Sequence, residues 1–208
     1  MKKVKTPFTF KNTNKECMAF LDYALDFAEK YNKKIEFRNV KYLLINRKEA
    51  CTGYADEEGL VVAYQSDENS IWKAFETFIH EFCHLQQEIE DSDEWKNWRW
   101  FDFSNKFDPF AYKNVMSVIA LERDCEKRAI KYINKYKMFG SAPYAKEANA
   151  YLYFQQFCFL KGKWFSLKQN QKLYEEFVDI MPEKLIPLKN FWNIDMQVMQ
   201  KFEIIFDK

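Results

Sequence analysis

Hydrophobic residues in this chain change their period twice, from helical to β-like and back, and each change marks a new kind of element. After Thr13-Asn-Lys-Glu16, which has the form of a capping box, Met18, Leu21, Leu25 and Phe27 recur at roughly helical spacing, predicting a first helix from about Asn14 to Tyr31. From Ile35 to Tyr64 the pattern breaks into short β-leaning runs, Ile35–Phe37, Tyr42–Ile45, Cys51–Tyr54 and Leu60–Tyr64. Charged or glycine-containing turns such as Asp56-Glu57-Glu58-Gly59 separate them, which predicts a small antiparallel sheet. Helical spacing then returns. Ile71, Phe75, Phe78, Ile79 and Phe82 form one apolar stripe behind the cap candidates of Asp67-Glu68-Asn69-Ser70, predicting a second helix over about Ile71 to Glu88.

An acidic, Trp-rich segment follows, Glu90 to Phe107. Asp108-Pro109 is a good helix start and Gly140 a natural stop, so a long helix is expected between them. Further helices are expected from Ser141-Ala142-Pro143 to about Leu160, from Gln171 to Ile180, and from Asn190 onward. The expected fold class is α+β, mostly helical, with the small sheet placed before the second helix. Nothing rich in Pro, Gly or Ser divides the 208 residues, so one domain is expected, with a core over about 35–137 and a helical elaboration over about 141–208.

Composition narrows the function classes. Lys plus Arg number 32 against 31 Asp plus Glu, and a formal charge of +1 gives no global field towards nucleic acid or anionic membrane. The five cysteines are odd in number and form no CxxC pair, which points to reduced thiols and a cytoplasmic setting. The start, MKKVKTPFTF, lacks the apolar stretch of a signal peptide, and no segment reaches the ~20 apolar residues of a membrane span.

The chemistry concentrates in His80-Glu81-Phe82-Cys83-His84, which holds both histidines of the chain. A spacing of four on a helix puts the two imidazoles on one face, as two ligands of a tetrahedral Zn²⁺ require. Glu81 lies off that face, where its carboxylate can act as general base towards a water activated by the metal. Two imidazoles on a helix face flanked by Phe78, Phe82 and Leu85 also need partners for their ring nitrogens in a dry place.

A catalytic zinc takes a third protein ligand and keeps a position open, and with no third histidine that ligand is a carboxylate or a cysteine. In the long helix Val118, Ile119, Cys125, Ala129 and Ile133 define a buried side that includes Glu122, with Glu126 one turn later. Burying a carboxylate without a cation is costly, so Glu122 is the expected ligand, with Glu126 and then Cys125 as alternatives. Glu126 and Gln87 are candidates for hydrogen-bonding a ligand histidine from behind. Solvated i, i+4 charges are the plainer account of the two glutamates.

A helical HExxH followed by a helix bearing a glutamate resembles the gluzincin-type metallopeptidases. His80 and His84 with Glu122-Arg-Asp-Cys-Glu-Lys-Arg-Ala129 resemble the small HExxH proteins of phages and mobile elements, and distantly the ImmA/IrrE peptidases, whose second motif reads ExEANxFA. The resemblance spans roughly residues 60 to 135. It implies a zincin-like fold, a peptide or protein substrate, Glu122 as zinc ligand, and a bacterial or phage-infected host cell. Glu126 takes the place of the motif's Asn, Phe82 stands where such peptidases commonly have Gly, and the interval from His84 to Glu122 is long.

Other features have two readings each. Leu60–Tyr64 is either the edge strand along which zincins align a peptide or an interior strand. Trp95, Trp98, Trp100, Phe101 and Phe103 either wall a cleft or pack a core, and with Lys96 and Arg99 they offer a stacking surface for single-stranded nucleic acid, against which the net charge argues. Asn149 or Tyr151 is a candidate oxyanion donor. A non-catalytic protein stabilised by zinc is the main alternative to a hydrolase.

Overall fold

The computed structural model describes residues 4–9, 11–45, 49–99, 112–161, 174–193 and 195–206. They fall into two compact units, residues 1–92 with 131–139, and residues 93–130 with 140–208.

In the first unit, α1 spans Lys15–Lys30. Its cap is Asn14, not the expected Thr13: Asn14 Oδ1 accepts from Cys17 N at 2.7 Å, while its Nδ2 donates to Met138 O at 2.6 Å. One amide therefore satisfies a helix start and tethers the chain at Met138.

Five strands follow, β1 (Lys34–Asn39), β2 (Leu43–Ile45), β3 (Glu49–Cys51), β4 (Gly53–Asp56) and β5 (Gly59–Tyr64). They form a three-stranded sheet in the order β1-β5-β4 and a two-stranded sheet of β2 and β3. The larger sheet is mixed, which corrects the antiparallel expectation: β4 and β5 form the antiparallel hairpin that their charged turn suggests, but β1 pairs with β5 in parallel, Lys34 opposite Gly59 and Asn39 opposite Tyr64. β5 is buried from Gly59 to Ala63, as a strand covered on both faces and flanked on both edges should be. The expected strand Cys51–Tyr54 divides at Thr52, whose carbonyl accepts from Ala63 N at 2.8 Å.

The second helix, α2, spans Glu68–Glu90 and packs on β4 and β5. Phe75, Phe78 and Phe82 project from its buried face into an aromatic nest with Phe8 and Phe20, all five almost fully inaccessible. Phe82 takes up the place between Phe20, Phe27 and Tyr132, at ring separations of 5.5, 5.3 and 5.9 Å. A bulky ring at that position therefore has a packing reason.

The second unit contains α3 (Asp93–Arg99), most of α4 (Tyr112–Tyr136), α5 (Ser141–Leu160), α6 (Glu175–Val178), α7 (Leu188–Phe191) and α8 (Met196–Phe206). α5 is apolar around its circumference and is the buried axis of this unit. Phe154 and Phe157 of α5 join Val115 and Ile119 of α4, Phe177 of α6 and Phe202 of α8 in one core. Phe177 and Phe202 stack at 4.0 Å.

α4 stops at Tyr136, where Lys137 turns left-handed with φ 56° and Met138 N reaches back to Ile133 O. Gly140, expected to end that helix, instead precedes the first residue of α5. The expected start at Asp108-Pro109, together with Trp100, Phe101, Phe103 and Gln171, lies outside the described residues.

Candidate metal centre

α2 is anchored at both ends. Asp67 Oδ1 accepts from Ser70 N at 3.0 Å, and Asp91 closes the helix in the left-handed conformation. His80 and His84 sit in its C-terminal half, their rings 4.7 Å apart and nearly perpendicular. The two Nε2 atoms face each other at 3.1 Å. Two nitrogens bound to one tetrahedral zinc at 2.0–2.1 Å stand about 3.3 Å apart, so the helix alone brings this pair close to the bite the metal needs. His84 turns its other nitrogen, Nδ1, to Gln87 Oε1 at 2.9 Å. Gln87 is fully buried, and the structure brings His80, His84 and Gln87 together.

Glu81, 7% exposed, leaves the helix on a different side, towards β4. There it meets Gly53. A Cβ at Gly53 would stand 2.6 Å from Thr77 Cγ2, 2.7 Å from Glu81 Cγ and 2.8 Å from Glu81 Oε1, closer than side chains pack. The strand passes over the step between Thr77 and Glu81 because residue 53 has no side chain. Sequence reasoning did not single out Gly53, although a glycine inside a β-leaning run, in a chain with only four, signals a close backbone approach. The same sheet order decides the role of Leu60–Tyr64: it is the interior strand, and among the described residues β1 and β4 are the outer ones.

On α4, Glu122 is half-buried while Cys125 and Glu126 are buried. Their neighbours are occupied: Arg128 Nε donates to Asp124 Oδ2 at 2.7 Å, and Arg123 Nε to Ile186 O at 2.5 Å. Burial of Arg123 lowers the affinity of its guanidinium for the proton.

Asn149, a candidate oxyanion donor, has its amide engaged within the second unit. Its Nδ2 donates to Pro182 O and Lys184 O, both at 3.0 Å, and its Oδ1 accepts from Ile186 N at 2.9 Å, so its amide is committed to pinning residues 182–186 onto α5. Trp95 is buried and packs on Trp98, the rings tilted with centroids 4.9 Å apart, and Trp98 packs against the core of the second unit. These two rings are packing elements.

All five cysteines are thiols, and burial pushes Cys17 up to about 11, which removes it as a nucleophile. Burial likewise raises the Tyr132 phenol far above its ordinary range, helped by the Tyr23 hydroxyl beside it. Among the described residues no helix is long and apolar enough to cross a membrane. Comparison with protein-family models, curated proteins and solved structures finds no match for this chain.

Proposed function

We propose that this chain is a zinc-dependent hydrolase that cleaves a peptide bond. The observation that carries the reading is the pair of imidazole nitrogens converging at 3.1 Å on one helix, with the buried carboxylate of the intervening Glu81 beside them in sequence. Bound there, zinc would supply Lewis acidity and an acidified water. Glu81 supplies the base: its carboxylate takes a proton from the attacking water and returns it to the leaving amine. β4 lends the reading for a peptide substrate its support, since an outer strand offers main-chain groups to which an extended chain can add, and β4 is the strand that touches Glu81.

The third donor comes from α4. Cys125, buried on α4, is one candidate, since a chain with only two histidines must draw its third donor from a cysteine or a carboxylate. A thiolate and two imidazoles make a donor set suited to zinc and leave a fourth position for chemistry. Glu122, expected from the resemblance, lies one turn earlier and is half-buried. The thiols and the near-zero net charge favour a cytoplasmic protein acting on a peptide or protein over one acting on nucleic acid or membrane.

Metal analysis of protein purified without chelators tests the reading. One zinc per chain is expected in wild type and in Glu81→Gln, and none in His80→Ala. Metal-free wild type overturns it. Cys125→Ser and Glu122→Gln identify the third donor by which of the two loses zinc. If Glu81→Gln leaves the cellular phenotype intact while His80→Ala unfolds the chain, the zinc is structural and the protein is an interaction module.

A further inference from the structure

We infer that Gln87 is a positioning residue that fixes the tautomer of His84, so that its Nε2 lone pair is aimed where His80 Nε2 already points. The inference rests on the metal reading above and adds the group that prepares the site. An amide oxygen only accepts, so the 2.9 Å contact between Gln87 Oε1 and His84 Nδ1 requires the ring proton on Nδ1. A neutral imidazole has one such proton, and Nε2 is left bare. In water the isolated ring prefers the opposite tautomer, with Nε2 blocked by hydrogen. Gln87 reverses that preference before any metal arrives.

The geometry behind Gln87 is stiff. Its side chain is fully buried, and its backbone carbonyl accepts from Asp91 N and from Ser92 N, the latter at 3.1 Å, where the left-handed Asp91 ends the helix. The spacing of three from His84 places the amide beside the ring without rearrangement. Being neutral, it orients the imidazole without adding a charge to a dry site.

The test uses the full chain, metal-free and zinc-loaded. With only two histidines, long-range proton–nitrogen spectra of the ¹⁵N-labelled protein resolve each ring. Wild type is expected to show His84 protonated on Nδ1 and bare on Nε2, and Gln87→Met to lose that bias. Zinc affinity, read by competition with a chromophoric chelator, should fall about 10- to 100-fold in Gln87→Met and return in Gln87→Glu, which restores an acceptor. A wild-type His84 protonated on Nε2 overturns the inference even if the variants fail to fold. Unchanged affinity in a folded Gln87→Met overturns it and leaves the metal reading standing. Wild type that binds no zinc overturns both.

Discussion

Gly53 and Glu81 touch in a way that excludes any side chain at the first: a methyl group on the Gly53 α-carbon would lie 2.7 Å from Glu81 Cγ. The strand backbone is therefore the surface against which the proposed base is held. Thr77, one turn earlier on α2, meets the same missing methyl at 2.6 Å, so β4 crosses the helix at a notch formed by these two side chains.

Gly53→Ala should destabilise the chain by about 1–3 kcal/mol through overpacking, read as a lower midpoint in thermal unfolding. Adding Thr77→Ser, which removes one of the two clashing groups, should recover part of that loss. Equal midpoints for wild type and Gly53→Ala would show that β4 and α2 separate freely.

Glu81→Gln keeps the shape of the side chain and removes its basicity. Peptide hydrolysis should fall about 10²- to 10⁴-fold with zinc content unchanged. Loss of zinc together with activity would make Glu81 part of the metal's support and not its base.

Asn149→Ala should cost about 3 kcal/mol in chemical denaturation, because it deletes three hydrogen bonds and leaves the Ile186 amide buried without its acceptor. Asn149→Asp keeps the acceptor for Ile186 N but loses both donors, and should be no better. A neutral Asn149→Ala would mean that residues 182–186 do not depend on this amide.

Alkaline pH should weaken the first unit in a defined window. Cys17 holds its proton up to about 11 when folded, against 9.0 for an unburied thiol. Between those values the unfolded chain loses the proton first, so stability falls as pH rises from about 9. Tyr132, raised in the same direction by burial, extends the fall at higher pH. Cys17→Ala should flatten the lower part of a plot of melting temperature against pH, and an unchanged slope would place the titration elsewhere.

What the sequence made legible was whatever a single helix determines. His80 and His84 are four apart, so their convergence needed only the helix that Phe75, Phe78 and Phe82 announce. Gln87 was within reach for the same reason. The parallel pairing of β1 with β5 was not legible, because the runs between them read as hairpins while the pairing joins strands distant in sequence. Glu81 meeting Gly53 was not legible either, because it depends on how the β4–β5 hairpin packs against α2. The hydrogen bonds of Asn149 were not legible, because an amide on a buried helix serves equally to hold a substrate or a loop, and its partners, the carbonyls of Pro182 and Lys184, lie more than 30 residues away.

Tyr132 carries a consequence beyond its ring packing. Its hydroxyl accepts from Gln86 Nε2 at 2.7 Å, which fixes the rotation of α4 about its own axis at one end. An unbroken helix is a phase-keeping rod: Cys125, seven residues upstream, returns to within about 20° of the same azimuth after two turns. Inserting a single residue between the two would swing the thiol by about 100° while leaving every local interaction of Tyr132 intact. The interval between these residues, more than their identities, sets which donors α4 can present.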